Sequence, residues 1–183
     1  MSTSTKVMIF IDGSNIFWGL QNYRKNMNQN ISIDYGKLVS LLASSRQIRG
    51  SNYYCSQPSV PTEGQTKFMD MLRQSGITVV AKKLKQRGTL ADGRPRLVEK
   101  GVDVALVTDL LSFAWENAYE DAVLVSGDAD YTGAVEKVKS KGRMVDVVAW
   151  RDSLSRELKL VASKVTYLDD IVEKVKLSRT TTP

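Results

Sequence analysis

The stretch VMIFIDGSN, residues 7–15, decides the fold class of this chain. Its apolar residues form a short continuous run, which predicts a strand that is covered on both faces. The Asp-Gly-Ser-Asn that follows predicts a turn, and Ser14 or Asn15 is suited to cap a helix whose apolar residues recur at helical spacing from Ile16 to Leu20. The stretch therefore predicts the first strand and helix of a parallel sheet.

Strands and helices alternate along the rest of the chain. Further strands are predicted at 52–56, 77–81, 122–125, 144–149 and 165–168, and helices at 35–44, around 68–72, at 102–114, 131–141 and 153–162. The turn-rich stretch 82–100 predicts a loop or hairpin. Strands separated by helix-length segments favour parallel pairing with helices on both faces of the sheet. We therefore expect an α/β fold, a three-layer α/β/α sandwich with a mostly parallel central sheet.

The composition limits the chemistry. The chain has no histidine, which excludes Ser-His-Asp hydrolysis, Cys-His catalysis and every histidine-ligated metal site. Cys55 is the single cysteine, which excludes an intrachain disulfide and indicates a reducing compartment. The length of 183 residues fits one domain, which we expect over residues 1–177, with a frayed tail over 178–183.

Charge and hydropathy bear on partners and location. The net charge of +6 favours a polyanionic partner. No apolar run approaches the roughly 20 residues that a membrane-spanning helix needs. We therefore expect a soluble cytoplasmic protein with no membrane partner. Exposed apolar helix faces would be compatible with a homodimer.

Acidic residues follow two of the predicted strands. Asp12 follows the first strand, and Asp128 and Asp130 follow the strand at 122–125. Ligands of open α/β sheets bind at the carboxyl ends of strands, and crowded carboxylates stay ionised beside a divalent cation. Without histidine or cysteine ligands, the expected ion is Mg²⁺ or Mn²⁺. Either motif alone favours a capping role for its aspartate, whereas the combination favours a metal site.

Two further aspartates belong to the predicted helix at 102–114. Asp103 lies just inside its start, where the helix N-terminus favours a carboxylate. Asp109 lies six residues further on, about 9 Å along the axis and roughly 120° round it. Asp109 is therefore expected to have a supporting or structural role and not to share a ligand set with Asp103.

Together these motifs resemble the NYN domains of the PIN-like nuclease superfamily, especially the bacterial LabA-like branch. The resemblance spans most of the chain and rests on three pieces: Asp-Gly-Ser-Asn at 12–15, Lys-Gly-Val-Asp at 100–103 with Asp109, and Ser-Gly-Asp-Ala-Asp-Tyr at 126–131. It implies a PIN-like sandwich whose acidic pocket binds Mg²⁺ or Mn²⁺ and cleaves RNA phosphodiester bonds.

The resemblance also implies roles for individual residues. Asp12, Asp103 and Asp128 correspond to the metal ligands, and Asn15 and Asp130 to supporting residues of the catalytic pocket. Asp130 is suited to orient the attacking water. Tyr131 stands where the family often has phenylalanine, and we expect this difference to leave the pocket acids untouched.

A run of cations separates the third predicted strand from the helix of Asp103. Its members are Lys82, Lys83, Lys85, Arg87, Arg94, Arg96 and Lys100. Since an acidic pocket repels phosphate, a basic rim that binds the RNA backbone would suit a nuclease. A solvated hairpin explains the same run, and both interpretations stay open.

The leading hypothesis is therefore a metal-dependent ribonuclease. The alternative is a non-catalytic RNA-binding or regulatory module that keeps the same fold. Other acid-centred α/β sites fit less well: residue 14 is serine where a haloacid-dehalogenase-type phosphatase needs aspartate, and residue 16 is isoleucine where a metal-dependent adhesion site needs serine. The chain also lacks a phosphate-binding P-loop and a dinucleotide fingerprint.

Overall fold

A parallel sheet lies at the centre of the computed structural model, which describes residues 4–89, 92 and 95–177. The strands of the described residues are β1 (Lys6–Asp12), β2 (Gln47–Gln57), β3 (Thr78–Lys83), β4 (Lys85–Thr89), β5 (Pro95–Val98), β6 (Asp121–Val125), β7 (Met144–Ala149) and β8 (Lys164–Tyr167). The sheet has the order β3-β2-β1-β6-β7-β8, and all its neighbouring strands are parallel. β4 and β5 form a separate antiparallel hairpin.

Helices cover both faces of this sheet. In the described residues they are α1 (Gly13–Met27), α2 (Tyr35–Ala43), α3 (Glu63–Gln74), α4 (Val102–Trp115), α5 (Thr132–Ser140), α6 (Arg156–Val161) and α7 (Leu168–Ile171), with short 3-10 helices at Ala129–Tyr131 and Val172–Lys174. Residues of α1, α2, α3 and α7 share one core, and residues of α4, α5 and α6 share the other.

Strand β1 contributes to both cores by simple alternation. Val7, Ile9 and Ile11 pack into the core with α1, and Met8 and Phe10 pack into the core with α4. Because successive side chains of a strand point to opposite faces, a continuous apolar run requires cover on both sides. The predicted three-layer α/β/α architecture is therefore confirmed.

Local signals in the sequence set where several helices begin. Asp12 caps α1, and Thr62 opens α3 with a capping box that includes Gln65. Gly101 precedes α4 with a φ of 79°, a left-handed conformation that glycine adopts without strain. These helices begin where capping residues supply partners for free backbone N–H groups or where glycine permits the turn.

The structure differs from the prediction at several boundaries. β2 begins at Gln47 instead of residue 52, because its exposed first residues pair with β1 through the backbone and carry no apolar pattern. The predicted helix at 153–162 begins only at Arg156, after its cap Ser155. The helical turns at 168–174 were missed by the sequence prediction. They bring Leu168 and Val172 into the core beside α1.

The stretch predicted as a loop or hairpin forms the hairpin of β4 and β5. Arg94 and the predicted tail at 178–183 lie outside the described residues. No helix within the described ranges combines the length and the hydropathy that crossing a bilayer would require.

The order of the sheet creates a crevice beside β1. From β1 the chain continues through β2 to β3 on one side, whereas β6, β7 and β8 extend the sheet on the other side. The carboxyl ends of β1 and β6 therefore adjoin at the point where the strand order reverses. This is the position at which open α/β sheets bind their ligands.

Candidate acidic active site

Asp12 is the buried acid at this crevice, with only 6% of its surface exposed. It ends β1, and its Oδ1 accepts a hydrogen bond from the Asn15 backbone N–H at 3.1 Å. Its Oδ2 accepts from the hydroxyls of Ser126 at 2.9 Å and Tyr131 at 3.2 Å. Asp12 thus caps α1 and also joins β1 to the segment that follows β6.

The surroundings of Asp12 act on its charge in opposite directions. Burial raises the pKa of Asp12, the hydrogen bonds from Asn15, Ser126 and Tyr131 lower it, and Glu99 adds a smaller upward effect, so that the net shift is upward. These three donors occupy three of about four lone-pair positions of the carboxylate. One position remains for a ligand, and a cation there would favour the ionised form.

Tyr131 takes a direct part in this arrangement. Burial raises the pKa of its phenol, which therefore stays protonated and donates to Asp12. The expectation that tyrosine at this position leaves the pocket acids untouched is wrong, because the hydroxyl that phenylalanine lacks is bonded to Asp12 Oδ2.

A cavity of about 650 Å³ opens beside Asp12. Its acidic lining residues within the described part of the chain are Asp12, Glu99, Asp103, Asp128, Asp130, Asp152 and Asp169. The proposed ligands Asp12, Asp103 and Asp128 therefore face one cavity, together with Asp130. The sequence placed these residues on separate elements, and the fold brings them together.

Asp103 and Asp128 reach the cavity from different elements. Asp103 lies in the first turn of α4, as expected, and is exposed. Asp128 follows β6, and its Oδ1 accepts a hydrogen bond from the Asp130 backbone N–H at 3.0 Å. Asp128 therefore caps the 3-10 helix at Ala129–Tyr131 and lines the cavity at once. Capping engages one of its oxygens and leaves the other for a ligand.

Asp109 is absent from the described lining of the cavity. Its Oδ2 instead accepts a hydrogen bond from the Tyr54 hydroxyl at 2.8 Å. This contact ties α4 to β2 and agrees with the supporting role expected from helix geometry.

The acidic residues of the cavity offer only carboxylate oxygens as ligands, and hard cations such as Mg²⁺ and Mn²⁺ prefer oxygen ligands. Among the described residues, however, no three acidic side chains stand close enough to form a ready-made cage for an ion. Mg²⁺ usually keeps several waters and binds through one or two carboxylates together with substrate phosphates. The carboxylates of the cavity fit an ion that one or two of them hold together with waters and substrate phosphates.

Asn15 has a mainly structural contact in this site. Its Oδ1 accepts hydrogen bonds from the Gly127 N–H at 3.1 Å and from the Ser153 hydroxyl at 3.4 Å. A Cβ at Gly127 would lie 2.2 Å from the Ser153 carbonyl oxygen. The loop after β6 therefore packs closely on the loop after β7, and Asn15 joins both to α1.

Sequence reasoning missed several cavity residues. Glu99 accepts a hydrogen bond from the Ser14 hydroxyl at 2.9 Å and so links the end of the hairpin to α1. Asp152 and Arg151 follow β7, where the strand-end rule that identified Asp12 and Asp128 would also have found them. Asp169 lies after β8 in the same relation to its strand.

The predicted cations divide into two groups. Lys100 lines the cavity, together with Arg151, which does not belong to the predicted run. Lys82 and Lys83 end β3, two strands from β1 and thus roughly 10 Å away along the same edge of the sheet. Lys85 and Arg87 are exposed on β4, whereas Arg96 lies in β5. Of the described run, Lys100 thus lies in the cavity lining, whereas the cations of β3 and β4 lie outside it.

Two known proteins are similar to this chain, one in sequence and one in structure. The chain is 29% identical over 167 residues to the Low amplitude and bright protein LabA of Synechococcus elongatus, a match that covers 91% of this chain and 86% of LabA. A crystal structure of a Vibrio parahaemolyticus protein of unknown function matches with a TM-score of 0.74 at 21% identity, over 97% of this chain and 99% of that one. The second likeness shows the fold alone.

The family model of the NYN domain matches residues 6–169. This range begins with β1 and ends after β8, so that it includes every strand end at the cavity. NYN domains are a nuclease-like family. On this match, the chain belongs to the NYN domain family.

Proposed function

We propose that this protein is a metal-dependent ribonuclease that cleaves RNA phosphodiester bonds at the acidic cavity. The observation that carries the proposal is the meeting of Asp12, Asp103 and Asp128 in one cavity at the reversal of strand order. Asp12 and Asp128 also cap helices, but capping alone does not require acids of three separate elements to line one cavity. Membership of a nuclease-like family supports the same conclusion.

Asp12, Asp103 and Asp128 would hold Mg²⁺ or Mn²⁺, which supplies charge stabilisation for the phosphate and lowers the pKa of a bound water. Asp130 orients the attacking water from the 3-10 helix. Asn15 keeps the loops after β6 and β7 in place through its contacts with Gly127 and Ser153.

Phosphate must approach a cavity that is rich in negative charge. Lys100 and Arg151 are the cations in its described lining, and their charges partly offset this repulsion. The outer cations Lys82, Lys83, Lys85 and Arg87 would bind the RNA backbone farther from the cleaved bond. The proposed location is the cytoplasm, whose reducing conditions suit the buried Cys55 thiol.

Cleavage of a labelled RNA with Mg²⁺ or Mn²⁺ tests the proposal. Asp12→Asn, Asp103→Asn and Asp128→Asn are each expected to lower the rate by at least about 100-fold, since ligand loss removes the metal's contribution. Asp70→Asn is the matched control, because Asp70 is an exposed acid paired with Arg73 on α3. A rate that survives all three cavity substitutions contradicts the proposal.

The non-catalytic alternative also has a specific observation in its favour, which is the lack of a ready-made ion cage among the described residues. In that case the protein would bind RNA in the presence of EDTA, and added Mg²⁺ or Mn²⁺ would produce no cleavage. Cleavage that requires the metal and Asp12 would exclude this alternative.

A further inference from the structure

One face of α1 forms a wall of the cavity and is not used by the proposed chemistry. Trp18, Asn22 and Asn26 lie on it at intervals of four residues, and all three line the cavity. This spacing places them on one side of the helix over about 12 Å. Asn15 begins the same face next to Asp12, so the wall leads away from Asp12 along the helix.

Trp18 is 66% exposed, whereas Trp150, which also lines the cavity and packs against α1, is 2% exposed. Trp150 has a structural role, since its indole N–H donates to the Ile16 carbonyl at 3.2 Å. Trp18 instead forms a T-shaped pair with Phe17, with the ring centroids 5.2 Å apart and the ring planes at 77°. Most of the Trp18 indole therefore remains open to a ligand.

The two asparagines offer hydrogen bonds without charge. In the described part of the chain, no hydrogen bond engages the side chain of Asn22 or Asn26, and both are exposed. A carboxamide has two donors and an acceptor, which match the polar edges of nucleobases. The acids of the cavity would repel a phosphate, but they would not repel a neutral base.

We propose that this face of α1 is a nucleobase subsite, in which an unpaired base of the RNA stacks on Trp18 and bonds through its edge to Asn22 and Asn26. The inference rests on the proposed function, because the stacked base belongs to a nucleotide next to the cleaved phosphodiester. Trp18 lies only three residues, about 4.5 Å of helix rise, beyond Asn15. A base reaches this wall only when it leaves its helix, so single-stranded RNA is the substrate class.

Binding of labelled oligonucleotides of about ten nucleotides tests the subsite, with single-stranded oligoadenylate compared with duplex RNA by fluorescence anisotropy in EDTA. Trp18→Ala is expected to weaken single-strand binding by tenfold or more, as expected for the loss of a stacked base. Trp18→Phe should restore most of the affinity, and Asn22→Ala with Asn26→Ala should weaken it several-fold. Duplex binding should be unchanged in every variant.

Trp115→Ala is the matched control, because Trp115 is 50% exposed at the end of α4 and lies outside the described lining of the cavity. Equal single-strand affinity of the Trp18→Ala and Trp115→Ala proteins would overturn the subsite, whether or not RNA is cleaved. A loss of affinity confined to Trp18→Ala, in a protein that cleaves nothing with Mg²⁺ or Mn²⁺, would support the subsite and reject the nuclease proposal.

Discussion

Asp12 shows how one side chain can serve both the fold and the site. A buried carboxylate is costly unless hydrogen bonds or a cation compensate its charge. Asn15, Ser126 and Tyr131 supply three donors, yet the pKa of Asp12 remains raised. A bound cation would therefore further stabilise the ionised form of Asp12, although this residue also caps α1.

Tyr131→Phe removes one donor to Asp12 and is expected to raise the pKa of this acid further. With a raised pKa, the folded state binds more protons than the unfolded state, so stability falls as pH rises from the ordinary value of 3.8 through the folded pKa. We expect Tyr131→Phe to lower the free energy of unfolding by about 1 kcal/mol at neutral pH, and by less below that ordinary value. Urea denaturation in EDTA, at neutral pH and below pH 3.8, measures the two losses in the free energy of unfolding.

Tyr23→Phe is the control for this prediction. Tyr23 also lines the cavity, but among the described residues its hydroxyl has no hydrogen bond, and its ring packs on Trp150. Loss of the Tyr23 hydroxyl should change the free energy of unfolding by no more than about 0.5 kcal/mol at every pH. Equal effects of the two substitutions would show that the Tyr131 hydroxyl does not stabilise the ionised Asp12.

At the scale of elements, the sequence predicts most clearly where one residue pattern determines one element. The apolar run at 7–11 and the capping Asp12 predict β1 and the start of α1 because both signals are local. The exposed start of β2 could not be predicted, since it depends on backbone pairing with β1. Glu99 was missed for a similar reason, because the hairpin brings it to Ser14.

The hairpin of β4 and β5 carries part of the basic run, and the residues that follow it, Glu99 and Lys100, line the cavity. Neutralising Lys83, Lys85 and Arg87 together by glutamine is expected to weaken RNA binding and to flatten its salt dependence. For single-stranded RNA, each lost phosphate contact makes the negative slope of log K against log salt shallower by about 0.7, so the loss of three contacts makes it shallower by roughly 2. Binding of a labelled RNA at several salt concentrations measures this slope.

The matched control neutralises Lys137, Lys139 and Lys141, which are exposed on α5 and at its end. This end of α5 leads into the start of β7 and thus lies at the edge of the sheet opposite the cavity. The control removes the same charge but should leave the slope nearly unchanged. Equal slopes for both triple variants would indicate that the hairpin is solvated and does not bind the RNA backbone.

At the scale of the whole molecule, the two edges of the sheet have different roles. The carboxyl edge gathers acids in the cavity, whereas the amino edge holds Asp121 of β6 and Asp146 of β7 beside Arg46. The guanidinium of Arg46 donates to these carboxylates at 2.9 and 3.1 Å and also to the carbonyls of Leu42 and Ala43. It therefore connects the end of α2 to two strands of the sheet.

Arg46→Ala should destabilise the protein without a direct effect on RNA binding. It leaves two carboxylates that are about four-fifths buried without their cation, which is expected to lower the free energy of unfolding by about 2 to 3 kcal/mol in urea denaturation. Arg73→Ala breaks an exposed pair with Asp70 and should lower it by no more than about 0.5 kcal/mol. Equal losses in the two variants would mean that Arg46 does not hold α2 against the sheet. Reduced RNA affinity of folded Arg46→Ala would mean that the two edges of the sheet are coupled.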